Sequence, residues 1–131
     1  REDSTFSIPA ARLGLAYPPN ATTRLREIVG AAQAKYILFT AARFDCAKAT
    51  NMGLLTATAS LAAFEESLAS LTAQICANAP LTLRAAKYIV DKNDPAPADI
   101  KKRVAFCLNS DDYKEGRTAF KEKRAPLFRG E

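Results

Sequence analysis

The chemistry open to this sequence is set first by a residue it lacks. There is no histidine among its 131 residues, so it cannot assemble a Ser-His-Asp triad, a Cys-His pair or a histidine-ligated metal. Acid–base work falls to Asp, Glu, Lys, Tyr or Cys. The three cysteines, Cys46, Cys76 and Cys107, lie about thirty residues apart with no CxxC pair. That odd, wide spacing fits neither a disulfide framework nor a zinc site. Alanine or apolar neighbours make them small buried hydrophobes of a reducing compartment, and no metal site is expected. From Phe6 to Thr23 the only ionisable side chains are Arg12 and Tyr17, so this stretch offers no carboxylate. Basic residues thicken near the end (Lys114, Arg117, Lys121, Lys123, Arg124, Arg129), interleaved with Asp111, Asp112, Glu115 and Glu122. A phosphate-bearing cofactor or a nucleic acid suits such a patch, and a solvated helix face explains it equally simply. No aromatic platform or nucleic-acid-binding motif accompanies it, which leaves nucleic acid an unlikely partner.

The elements that must position these groups are mostly helical. Residues 3–8 carry β-favouring types and stop at Pro9, predicting a strand. Residues 9–20 are punctuated by Gly14, Pro18 and Pro19 and read as irregular. Thr22 and Thr23 can cap a helix through Leu25, Ile28 and Val29 to a break at Gly30, and a second helix follows over 31–40. Asp45 caps a short helix that Gly53 ends, and Leu54–Thr56 reads as a brief strand. Ser60 opens the longest helix, about 60–78, with Leu61, Phe64, Leu68, Leu71 and Ile75 on one stripe that predicts core or subunit interface. Further helices are expected over 81–91, near 98–109 and over 111–122, with a loop at 91–97. A strand needs partners for its backbone N–H and C=O groups, and none of adequate length is evident, so a missing upstream portion is expected to supply them. The opening residue, Arg1, fits that expectation.

With 48% hydrophobic and 25% charged residues the composition is that of a globular domain, or part of one. No signal peptide is expected, and no apolar run in these residues approaches the ~18 of a membrane span. A soluble intracellular protein is expected, in the cytoplasm or an organelle matrix, with no membrane partner.

Several segments, in this order, resemble the crotonase superfamily of enoyl-CoA hydratases and isomerases. Phe6–Leu15 (FSIPAARLGL) is similar to the family's F-x-x-P-E-x-x-x-G stretch. Residues 37–54 (ILFTAARFDCAKATNMGL) resemble L-T-G-x-x-x-x-A-x-x-A-x-x-x-G-L. Residues 77–80 (ANAP) and 84–87 (RAAK) match a helix end and the next helix start. Ser110–Gly116 and Ala119–Phe128 match the tail S-x-D-x-x-E-G-x-x-A-F-x-E-K-R-x-P-x-F. The ordered set covers nearly the whole chain.

The resemblance implies an α/β fold: the last part of a β-β-α spiral core over 1–57, then a helical region over 58–131 that drives assembly into a homotrimer or dimer of trimers. It implies an acyl-CoA substrate, with coenzyme A present only as part of that substrate and no tightly bound cofactor. It also implies a mechanism in which two backbone N–H groups stabilise the enolate of a thioester. Those donors, and the first carboxylate of a hydratase pair, would come from the missing N-terminal half of the same protein, so these residues alone are expected to be inactive.

One position governs the chemistry. Hydratases of this family carry their second glutamate after the proline of the P-E pair, and here that dipeptide is Pro9-Ala10. Other members place an aspartate in the turn after the glycine, and here Gly14–Asn20 holds no carboxylate. No catalytic side chain is therefore assigned. Pro9, Ala10 and Leu13 are expected to border the acyl pocket, and Phe120 and Lys123 to meet the CoA adenosine. Packing alone would explain the first three, and a core phenylalanine and surface lysine the other two. A non-catalytic CoA-ester-binding or scaffold protein is the alternative to an enzyme.

Overall fold

The computed structural model describes residues 1–92 and 94–131. Its elements are β1 (Thr5–Phe6), a 3-10 turn (Pro9–Arg12), α1 (Pro19–Thr40), β2 (Phe44–Asp45), α2 (Cys46–Asn51), α3 (Phe64–Cys76), α4 (Pro80–Asp91), α5 (Pro97–Leu108) and α6 (Asp111–Glu122). Two compact units, Arg1–Ser67 and Leu68–Glu131, divide the chain. The expected domains, 1–57 and 58–131, are defined by role rather than compactness and stay expectations.

In the first unit the strand expected over 3–8 shortens to two residues and finds its partner within the chain. Thr5 pairs with Asp45 and Phe6 with Phe44, antiparallel, and the two phenylalanine rings stack at 5.9 Å. Cys46 Sγ donates to the Arg1 carbonyl at 2.9 Å, and Glu2 N–H to the Ala59 carbonyl at 3.0 Å, so the segment before β1 is tied down at both sides. Leu54–Thr56 forms no strand. Leu54 and Leu55 instead pack against the core made by Leu25, Val29, Ala34, Ile37, Phe44 and Ala49.

That core explains the kink in α1. Leu25 and Val29 share a face before Gly30, and Ala34 and Ile37 share one after it. Gly30 takes φ 77 and ψ 164, a conformation open to glycine and costly for any side chain, and so re-aims the second half. The helix starts earlier than a Thr22 or Thr23 cap predicts. Pro19 occupies its first turn, where a missing N–H costs nothing and φ is already helical. Leu38 packs on the core beside buried Ile37, whereas Phe39 stays exposed and Tyr36 carries the Lys48 ammonium 3.8 Å above its ring. Asp45 caps α2 as expected, accepting from Lys48 N–H at 2.8 Å.

Two further expectations are corrected and a third, core or subunit interface for the apolar stripe, is narrowed. The long helix begins at Phe64, because Ser60 caps a turn by accepting from Ala63 N–H at 3.2 Å. Its apolar stripe is not core: α3 buries no residue, and Leu61, Leu68, Leu71 and Ile75 are all exposed. Of the cysteines only Cys46 is buried; Cys76 lies on that exposed helix and Cys107 is half-buried.

In the second unit α4 packs on α5 and α5 on α6. Proline opens both α4 and α5. The loop expected at 91–97 includes Asn93, which lies outside the described residues. No described helix is long and apolar enough to cross a membrane.

Candidate functional site

Pro9 opens the 3-10 turn after β1, and the carbonyls of Pro9 and Ala10 accept from Leu13 N–H at 3.2 and 3.1 Å. Leu15 N–H returns to the Ala10 carbonyl at 3.2 Å, a closure that puts Gly14 at φ 66. The turn sorts the three residues. Ala10 is 6% exposed, whereas Leu13 is 66% exposed and Pro9 lies at the surface. The buried position thus holds a methyl group, which can neither give nor take a proton. Glu2 and Asp3 are exposed, and Asp3 is paired with Arg1 at 2.8 Å, which lowers its pKa.

The tail belongs to the second unit. Ser110 caps α6 by accepting from Tyr113 N–H at 3.0 Å while its hydroxyl donates to the Cys107 carbonyl at 2.7 Å. Asp112, buried, accepts from Arg129 and Gly130 N–H at 2.7 and 2.9 Å. Glu115 takes a two-pronged contact from the Arg124 guanidinium at 2.6 and 2.8 Å and also accepts from Leu127 N–H at 2.8 Å. These contacts pull the Glu115 carboxyl down to about 2 and raise the Arg124 guanidinium further above its usual range. Phe128 completes the fold-back, its ring lying over Gly116. Asp112, Glu115, Gly116, Arg124 and Phe128 of the tail pattern therefore hold segment 124–130 against α6, while Ser110 caps that helix. That role is structural.

Phe120 and Lys123 of the pattern lie outside this clasp. Phe120 is 87% exposed, and its ring borders a groove of about 580 Å³ with Tyr113, Arg117, Lys121 and Phe128. Lys123 lies at the helix end with φ 54, in a cap where Lys123 N–H reaches the Phe120 carbonyl and Arg124 N–H the Ala119 carbonyl. The sequence had singled out this pair. It missed Tyr113, Arg117 and Lys121 as groove residues, although their i, i+4 spacing (113, 117, 121) puts them on one face. The Pro9–Leu13 turn and the Phe120–Lys123 helix end belong to different compact units.

The sequence model for enoyl-CoA hydratase/isomerase matches residues 1–131. The chain belongs to the enoyl-CoA hydratase/isomerase family. Its similarity to individual members runs the length of the chain. A protein of Arabidopsis thaliana named probable enoyl-CoA hydratase 2, mitochondrial, is 29% identical over 134 residues, covering 98% of this chain and 44% of that protein. A carnitinyl-CoA dehydratase of Salmonella typhi is 28% identical over 138 residues, with 98% and 53% covered. The crystal structure of an enoyl-CoA hydratase from Mycobacterium marinum superposes with a TM-score of 0.87 at 30% identity, over 99% of this chain and 54% of that one. An enoyl-CoA hydratase/carnithine racemase from Magnetospirillum magneticum gives 0.87 at 26% identity, with 97% and 49% covered. The chain spans about half the length of the relatives it matches. Its fold is that of the crotonase superfamily, and its helix-rich build with one small sheet fits the C-terminal helical region of the enoyl-CoA hydratase/isomerase fold.

Proposed function

We propose that the protein acts on an acyl-CoA thioester by stabilising its enolate, and that ordinary hydration of 2-enoyl-CoA is slow or absent because no carboxylate stands at position 10. The oxyanion-hole donors and the first carboxylate are assigned to residues outside these 131. The observation that carries the reading is the Ala10 methyl, buried in the turn that follows Pro9. Removing a positioned general acid or base typically costs ~10²–10⁴ in rate, so the rest of the machinery would bind substrate with little hydration to show for it. A small residue there also leaves room for a bulkier acyl group. Pro9 and Leu13 flank it.

For the CoA end, Phe120 offers an exposed aromatic face to the adenine and Lys123 a point charge to the phosphates. Lys123 takes φ 54 where α6 ends, as Ala41 takes φ 46 where α1 ends, so the backbone there is that of a helix cap. A homotrimer or a dimer of trimers is the assembly we assign.

Crotonyl-CoA hydration by the full-length protein provides the test. The expected result is a rate about a hundredfold or more below that of an Ala10→Glu variant. Family-typical hydration by the unmodified protein would remove Ala10 from the argument. The same missing carboxylate favours a second reading, a non-catalytic binder of CoA esters. Turnover of any enoyl-, dienoyl- or 3-hydroxyacyl-CoA distinguishes the two.

A further inference from the structure

The net charge of +5 is unevenly distributed. Arg1 is matched by Asp3, Lys114 by Asp111, and Arg124 by Glu115 and Glu122. Most of the other cations make no ion pair among the described residues, and between α4 and α5 several of these gather. Arg84, Lys87, Lys92, Lys102 and Arg103 line two adjoining grooves of about 440 and 370 Å³, with Arg84, Tyr88 and Arg103 bordering both. Two carboxylates also border them, and each is engaged. Asp91 pairs with Lys87 at 2.9 Å, and Asp99 accepts the Tyr88 hydroxyl at 2.8 Å. Arg84, Lys92, Lys102 and Arg103 have no carboxylate ion pair among the described residues. Like charges lining one groove repel one another, and a multivalent anion relieves the repulsion.

The arrangement is also built rather than loose. The Arg103 guanidinium lies 3.8 Å over the Tyr88 ring, and Lys92 approaches the same ring at 5.9 Å. Asp99, in the first turn of α5, fixes the ring through its hydroxyl. Stacking by its face leaves a guanidinium's N–H edge free, and that edge matches two phosphate oxygens. Exposed Phe106 supplies an apolar wall to the larger groove. We infer that the α4–α5 groove is a binding site for a small molecule carrying two or more linked phosphate groups. The groove volume suits a small ligand, and a site that pairs forked cations with an aromatic suits linked phosphates better than a lone carboxylate. The inference does not depend on the Phe120–Lys123 assignment or on catalysis.

Two sources carry this chemistry: a free polyphosphate or nucleotide, and the nucleotide portion of a CoA ester. The probe is inorganic tripolyphosphate, titrated into the full-length protein by calorimetry. Binding that weakens with added salt is expected, and the affinity should fall about tenfold or more in Arg84→Ala/Arg103→Ala, since each charge-assisted fork is worth roughly a tenfold factor or more. Arg84→Ala/Lys102→Ala leaves the Tyr88–Arg103 stack intact and should weaken binding similarly, which covers the case of a poorly folded first variant. Arg103→Lys, keeping charge but losing the fork, should fall between. Displacement of the probe by CoA but not by pantetheine assigns the CoA nucleotide as the source and places it in this groove instead of at Phe120 and Lys123. Failure of CoA to displace it assigns a separate phosphorylated ligand. Absence of tripolyphosphate binding, affinity unchanged in both double variants, or binding confined to an oligonucleotide overturns the inference.

Discussion

Lys123 sets two demands against each other at a single residue. Its backbone occupies the left-handed position that ends α6, where glycine is the unstrained choice. Its exposed side chain makes no ion pair among the described residues. Lys123→Gly should therefore stabilise the fold by about 1 kcal/mol, read as a higher midpoint in chemical denaturation. If the lysine holds the CoA phosphates, the same substitution should weaken CoA binding several-fold. Opposite signs in the two measurements mark a residue retained for binding. A stability gain with unchanged CoA affinity would return Lys123 to the ordinary surface. The sequence made this residue visible only through the E-K-R resemblance, because nothing in residue type signals a positive φ in a lysine. Ala10 was legible for the opposite reason: the missing carboxylate is itself a statement about chemistry, and the turn adds only that the methyl is buried.

At the scale of one element, the clasp on α6 yields a dependence on pH whose sign can be worked out. Glu115 titrates near 2 in the fold against an ordinary value of 4.5, chiefly because Arg124 bonds its charged form, with Leu127 N–H adding to it. A carboxyl with a depressed folded pKa stabilises the native state fully above its unfolded pKa. That contribution drains away as pH falls from 4.5 toward about 2. The stability gap between the protein and Glu115→Gln should be widest above this window and close through it, measured by denaturant midpoints at stepped pH. Little or no gap above this window would mean that Arg124 finds Glu122 sufficient, since that second carboxylate lies 2.7 Å from it. Residue type and the loop composition of 91–97 made α4, α5 and α6 legible almost to the residue, although Pro80 and Pro97 turn out to open helices rather than to end a helix and a loop. The clasp itself was not legible. Asp112 meets Arg129 and Gly130 seventeen and eighteen positions away, and no local pattern reports a contact that closes only when the tail folds back. The same limit produced the over-long strand at 3–8: type favours β structure throughout, but the two-residue partner at Phe44–Asp45 decides how much is paired.

For the whole molecule, the outstanding debt is α3. Thirteen residues form this helix and none is buried, although Leu68, Leu71 and Ile75 recur at helical spacing. Isolated helices of this length are marginal in water, and most helical stability comes from packing an apolar face. The stripe was legible in the sequence, but the surface that covers it was not, because periodicity reports that a face is apolar and is silent on what meets it. We assign the cover to a second copy of the protein in the proposed trimer. Leu68 and Leu71 are 48% and 52% exposed, so covering the rest of each contributes roughly 1 kcal/mol, and an unpaired carboxylate buried in its place costs several kcal/mol. Leu68→Glu/Leu71→Glu in the full-length protein is expected to shift sedimentation from the assembled species to a folded monomer. If the helix is instead covered by another part of the same polypeptide, the variant will lose its cooperative unfolding transition along with its solubility, and assembly will not be the property that changes first. A variant that stays assembled and folded would show that this face needs no partner, and the trimer contact would then have to be sought on α4–α6.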